Sequence, residues 1–134
     1  MWLRTQRADD ARETEIAAAA ETAVAAVLSY DHRRLAAGRA DARALLTGDA
    51  AAQYDEVAEP LARTARRLES VVDADIKATT VLEHDDDSAD VLLFVDQMSS
   101  SKKLSQPQLD QSRVVVTLVT RKTRGWSRPW PPSE

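Results

Sequence analysis

Val91-Leu92-Leu93-Phe94-Val95-Asp96-Gln97-Met98 and Ser112-Arg113-Val114-Val115-Val116-Thr117-Leu118-Val119 are the stretches whose reading decides the fold. Both are rich in β-branched side chains, both are short, and a hydrophilic excursion over 99–111 containing Pro107 separates them. That is the signature of two antiparallel strands. The first run is apolar on both faces at its centre, so it is predicted to be central in the sheet or covered.

Just upstream, along Val72-Asp73-Ala74-Asp75-Ile76-Lys77-Ala78, apolar residues occupy the even positions and charged ones the odd. This period of two predicts a strand with one wet face. Glu83-His84-Asp85-Asp86-Asp87-Ser88 reads as the polar turn that follows. Arg121-Lys122-Thr123-Arg124-Gly125 reads as a hairpin turn into a very short fourth strand at Trp126, because Pro129, Pro131 and Pro132 cannot donate to a ladder.

Before residue 68 the period is that of a helix. Over 8–29, Ile16, Ala20, Ala23, Val24, Val27 and Leu28 recur at three- and four-residue steps on one stripe. Asp9, Asp10, Glu13 and Glu15 fall near its expected start, where negative charge suits the helix dipole. The stripe is made largely of small residues, which lets a sheet face approach closely. Tyr30-Asp31-His32 reads as a corner, with Asp31 as N-cap of a second helix over 33–47. Gly38 weakens the middle of that helix by about 1 kcal/mol relative to alanine, so a break or irregularity is expected there. Gly48 is read as a left-handed C′ residue and Asp49 as the next cap. A third helix over 50–69 carries Tyr54, Val57, Leu61, Ala65 and Leu68 on its buried side, with a kink or break near 56–59 caused by Pro60.

Helices first and strands second define an α+β domain, three helices packed on a curved sheet of three to four antiparallel strands. The 134 residues suit one domain with a core of its own. Its expected span is 8–126, with 127–134 a Pro/Trp-rich tail. Residues 1–7, with Trp2, Leu3, Arg4 and Arg7, read either as a frayed terminus or as the end of a removed membrane anchor. There is no cysteine, which excludes disulfides and thiolate metal sites. The net charge of -4, with both signs interspersed, argues against a nucleic-acid binder. No segment reaches the roughly 20 consecutive apolar residues of a membrane span, so the chain as given is expected to be soluble.

The order helix, short helix, longer helix, curved sheet resembles the cone-shaped fold of nuclear transport factor-like proteins. More specifically, Leu28-Ser29-Tyr30-Asp31, then Ala44-Leu45-Leu46-Thr47-Gly48-Asp49 with Gln53-Tyr54, then the two strand runs, resemble the Mce-associated membrane proteins of actinobacterial envelopes. The resemblance spans 8–126. It implies a non-enzymatic accessory subunit beside an Mce lipid-import complex, on the extracytoplasmic face of the plasma membrane. The implied partners are Mce complex proteins, with lipid or sterol as a further class of contact, no nucleic acid, and a membrane anchor absent from this chain. Family members usually follow the Gly and Trp with an apolar strand, whereas Gly125-Trp126 is followed here by Ser127-Arg128-Pro129.

Curvature of the sheet is expected to leave an apolar wedge facing the first and third helices. Its candidate lining is Val24, Val27, Val57 and Leu61 from helices and Ile76, Leu93, Val95, Val116 and Leu118 from strands, against the plainer reading that all nine are ordinary core. An enzyme in such a cone needs a carboxylate facing an apolar pocket and a proton donor opposite. Asp96 with Tyr30 or Tyr54 is the arrangement the sequence offers, and a strand-end carboxylate is the plainer reading of Asp96. The run Glu83-His84-Asp85-Asp86-Asp87 matches no zinc or calcium spacing, and no cofactor motif is present. Ser99-Ser100-Ser101 lacks a nucleophile elbow. Lys102 and Lys103, with Arg121, Lys122 and Arg124, form two small basic clusters, and Trp126 and Trp130 are candidate docking side chains in the tail.

Overall fold

A computed structural model describes the backbone of residues 2–119 and 122–127, and the side chains of residues 10–119 and of Thr123. The tail residues Arg128, Pro129, Trp130, Pro131 and Pro132, the side chains of Trp2, Leu3, Lys122, Arg124 and Trp126, and Arg121 lie outside what is described. Among the described residues, three helices precede the main sheet: α1 (Trp2–Leu28), α2 (Leu35–Arg43) and α3 (Gly48–Leu68). The strands are β1 (Tyr30–Asp31), β2 (Val71–His84), β3 (Ser88–Ser100), β4 (Gln108–Val119) and β5 (Lys122–Ser127), all antiparallel to their neighbours in the order β1-β2-β3-β4-β5. The α+β cone predicted from sequence is thus the fold observed, with β3 central as its apolar run requires.

Register sorts the sheet into two faces. Val91, Leu93 and Val95 of β3 and Val114, Val116 and Leu118 of β4 are buried with Ala20 and Val24 of α1, while Ile76 and Val81 pack against them. Small side chains on α1 let the helix axis settle low over the strands. Two bulges then bend β2: the register with β3 slips between Ile76 and Ala78 and again between Val81 and Glu83. Lys77 and Leu82 are the extra residues, and each slip increases the local twist. The predicted alternation therefore holds through Ile76, after which Thr79 and Val81 are the more buried positions, rather than Ala78 and Thr80. Asp85 closes the β2–β3 turn by accepting the N–H groups of Asp87 and Ser88, each at 2.8 Å. Those bonds hold its carboxyl below the usual carboxylate range.

Several local expectations are corrected. Helix α1 begins at Trp2, so its first turn carries no acidic residue. No Gly or Pro precedes Gly38, and nothing halts the helix near residue 8. Asp31 does not cap α2. It pairs with Val71 as part of β1, and its carboxylate accepts the Arg33 N–H at 2.9 Å. Helix α2 runs unbroken through Gly38 but ends at Arg43 instead of 47. The cause is tertiary: Leu46 bridges Thr123, with Thr123 N–H donating to the Leu45 carbonyl and Thr47 N–H to the Thr123 carbonyl, both at 2.9 Å. Pairing with β5 draws residues 45–47 out of the helix. Gly48 accordingly opens α3, no glycine among the described residues has positive φ, and Asp49 sits in the first turn rather than at the cap. Helix α3 continues across Pro60 without a break. Its left-handed residue is Glu69, at φ 53°. There the chain reverses into β2, and Glu69 is fixed by a 2.6 Å ion pair with Lys102 and by Lys102 N–H donating to the Leu68 carbonyl.

Two predictions follow from this architecture. Leu93 is 0% exposed whereas its neighbour Phe94, on the opposite face, is 39% exposed. Urea denaturation should show Leu93→Ala losing about 2–5 kcal/mol, and Phe94→Ala clearly less. At Gly38 an added Cβ would meet nothing within 4 Å and φ is not positive. Gly38→Ala should stabilise the domain by about 0.5–1 kcal/mol, read from the same denaturation curves.

Candidate functional site

The end of α1 is anchored at two points on the sheet. Gln97 Nε2 donates to the Leu28 carbonyl at 2.9 Å, satisfying one of the carbonyls that a helix C-terminus leaves without an internal partner. One residue later, Ser29 Oγ accepts the Ala74 N–H at 3.0 Å, beyond the point where β1 stops pairing with β2. Beside these anchors the helices do not close on the sheet. Helix α3 turns an alanine side (Ala50, Ala51, Ala58, Ala65) inward, and its bulkier residues border an open cleft.

That cleft has a volume of about 290 Å3. Its floor includes Val27, Leu28, Gln97 and Val114, and its α3 wall includes Tyr54, Val57 and Leu61. Tyr30, Asp31 and Arg34 close one end, while Leu35, Gly38 and Arg39 come from α2. Val57 is 59% exposed and Leu61 37%, so the expectation that α3 buries them is corrected. Facing α2 and β5 with its smallest side chains rotates the larger ones towards the cleft.

Charged groups hold the rim in shape. Arg39 bonds Glu59 at 2.7 Å through Nη1 and Asp55 at 3.2 Å through Nη2, and Arg43 Nε reaches Asp55 at 3.0 Å. Together these tie α2 to α3. Exposed to solvent, such pairs fix geometry more than they add stability. The Arg39 bond holds Glu59 below the usual carboxylate range. At the other end, the Arg33 guanidinium donates to Asp31 at 2.9 Å and 2.6 Å and holds its carboxyl far below the ordinary value. Arg34 makes no ion pair among the described residues.

Of the nine wedge residues, Val27, Val57 and Leu61 border this cleft. Val24, Leu93, Val95, Val116 and Leu118 are packed core, with Ile76 against them. Val24, Val27 and Val116 also border a void of about 20 Å3 with wholly apolar walls, near the size of a single water. Sequence reasoning missed Leu28, Arg34, Leu35 and Arg39. Leu28, Arg34 and Leu35 share a signal of position, at or beside the ends of α1 and α2, whereas Arg39 lies in the middle of α2.

Asp96 does not meet either tyrosine. It stands opposite Asp75 and Gln111 on the outer face of the sheet, whereas Tyr30 and Tyr54 line the cleft on the inner side. Asp31 is the one carboxylate among the described cleft-lining residues, and Arg33 occupies it. The arrangement weighed from sequence, Asp96 with a tyrosine, is therefore not assembled in the cleft. Near the β2–β3 turn, His84 Nε2 lies 3.8 Å from Glu13, and no group of three potential metal ligands occurs among the described residues.

The outer face offers a second feature. Leu92 faces Val115, Phe94 faces Arg113 and Met98 faces Leu109 across the β3–β4 ladder. Met98 is 45% exposed and Leu109 51%. Asp96, opposite Gln111, lies between Phe94 and the Met98–Leu109 pair, and Asp75, held to Lys77 at 2.8 Å, borders it on β2.

No family model matches the chain. Two uncharacterized proteins of Mycobacterium tuberculosis, Rv1362c and MT1407, are each 35% identical to it over 115 residues. That is 85% of this chain and 52% of theirs, so the chain spans about half the length of the curated relatives it matches. Among solved structures, an IcmL-like type IV secretion system protein from Legionella pneumophila superposes with a TM-score of 0.74 at 12% identity, covering 90% of this chain and 96% of that one. CagV, a VirB8 homolog of the type IV secretion system of Helicobacter pylori, gives 0.67 at 9% identity, covering 86% and 96%. The periplasmic domain of DotI gives 0.65 at 12% identity, covering 88% and 94%. At such identities the likeness is one of fold. No described helix is long and apolar enough to cross a membrane.

Burial raises both cleft phenols above their ordinary value of 10.0, with Arg39 partly opposing the shift at Tyr54. A phenol raised in the folded state supports the fold below its unfolded pKa, and that support is lost as pH rises through the folded value. Ultraviolet titration should show both tyrosines ionising above pH 10, with Tyr54→Phe and Tyr30→Phe each removing one such transition.

Proposed function

We propose that this chain is the globular domain of a non-enzymatic accessory protein of the cell envelope, working beside an Mce-type lipid-import complex through protein contacts. The observation that carries this reading is the outer face of the sheet. Phe94 stands exposed on it, and beyond the Asp96–Gln111 pair so do Met98 and the facing Leu109, with Asp75, Lys77 and Arg113 alongside. Exposed apolar side chains interleaved with charged and amide groups have the mixed anatomy of a protein interface. Asp96 lies within that surface, where it serves contacts.

Two further observations support the reading. The structures sharing this fold include components of type IV secretion systems and a periplasmic domain, which supports an envelope setting for the cone. The mycobacterial relatives are about twice as long as the matched region, leaving room in those proteins for an anchor. The resemblance of 8–126 to Mce-associated proteins supplies the particular complex.

Exported in an actinobacterial host that makes an Mce transporter, the tagged chain should cross-link to Mce complex proteins. Phe94→Asp should lower that yield at least tenfold with an unchanged circular dichroism spectrum, since Phe94 is outside the packed core. Absence of Mce proteins from the wild-type cross-links, or full retention by Phe94→Asp, overturns the proposal.

A further inference from the structure

The cleft is independent of that outer face, and it poses its own question. Val57 and Leu61 leave apolar surface in water on the wall of a cavity whose floor is also apolar. A trough of this kind is stabilised by whatever hydrocarbon fills it, because the apolar surface it covers then leaves water. Its size narrows the choice. About 290 Å3 lies at the lower end of the roughly 300–1,000 Å3 typical of small-molecule pockets. One chain or a part of one fits, whereas a two-chain lipid does not.

Charge narrows it further. Three charged residues line the cleft: Asp31, Arg34 and Arg39. Asp31 is neutralised by Arg33, and Arg39 is neutralised by Asp55 and Glu59. Arg34 remains, a guanidinium with no ion pair among the described residues, at the end where Tyr30 lies. Guanidinium presents paired donors that match the oxygens of a carboxylate or a phosphate. Inside, the Gln97 amide is already committed to the Leu28 carbonyl. The Tyr30 and Tyr54 hydroxyls also line the cleft, and a neutral sterol leaves the arginine unmatched.

We infer that the cleft between the end of α1, α2 and α3 binds the hydrocarbon chain of a single-chain anionic amphiphile, whose carboxylate or phosphate headgroup pairs with Arg34. The inference goes beyond the contact role above and stands on the other face of the sheet, so either can fail without the other.

The test is titration of the chain, below the critical micelle concentration, with oleate, with 1-oleoyl lysophosphatidate and with uncharged monoolein. Saturable one-to-one binding of an anionic probe is expected, at least tenfold tighter than monoolein. Preference between oleate and lysophosphatidate assigns the headgroup as carboxylate or phosphate. Arg34→Glu should weaken the anionic probes at least tenfold and leave monoolein within twofold. Val57→Asp, at a mostly exposed position, should weaken all three, while Phe94→Asp should change none. Saturable binding by neither anion, equal binding of monoolein, or indifference to Arg34→Glu overturns the inference. A dimer that Val57→Asp dissociates in the absence of any amphiphile also overturns it, by assigning the cleft to a second copy of the chain.

Discussion

The structure depends on one contact: the small-residue seam of α1, with Ala20, Ala23 and Val24 buried, lying on the inner face of β3 and β4. Side chains of one to three carbons on the helix let Leu93, Val95, Val114, Val116 and Leu118 fill the space between backbones without voids of consequence. Larger residues along that seam would lift the helix and separate Gln97 from the Leu28 carbonyl and Ser29 from Ala74. The polar anchors are thus consequences of the packing, and they fix where α1 stops.

Where α1 stops determines the rest. The chain turns through β1 and reaches α2 and α3, which contact the far edge of the sheet through Leu46 and Thr123 instead of lying flat upon it. The helical layer is consequently closed at the β5 side and open beside the C-terminus of α1. The sheet thereby acquires two working surfaces of different character: a cleft with a cationic end inside, and a strip of exposed apolar side chains with both charge signs outside. This division gives the bulges in β2 their importance, because the curvature they impose separates a concave side from a convex one.

Much of this was legible in residues. The switch from helical to extended periodicity just past Leu68 coincides with the end of α3 and the start of β2, because Asp73, Asp75 and Ile76 could alternate only on a pleated strand. The doubly apolar run at Val91–Val95 was readable as central for the same reason. Illegible were features decided by distant partners. Nothing local in Leu45-Leu46-Thr47 announces a bridge to Thr123, and the helical pattern there is satisfactory by itself. Nor does the pattern in α3 show which of two competing stripes, alanine or valine and leucine, will turn inward; the outcome depends on how closely α2 and β5 approach. Of the nine residues named for the wedge, Val27, Val57 and Leu61 border the cleft, while the other six lie in or against the packed core, as the plainer reading had it. Which way Asp96 faces was not legible for a simpler reason, since adjacent strand residues face opposite ways and only the register says which way is in.

Strand β2 carries one more implication. It is 14 residues long, yet among the described residues β1 pairs with only Val71 and Val72 along its free border. A straight border of that length would invite neighbouring molecules to add strands and zip into ribbons. The kinks at Lys77 and Leu82, the cation carried by the first, and the Ser29 hydroxyl seated on Ala74 spoil that template at intervals. Open-ended fibre growth from this border is thereby disfavoured even where copies crowd together.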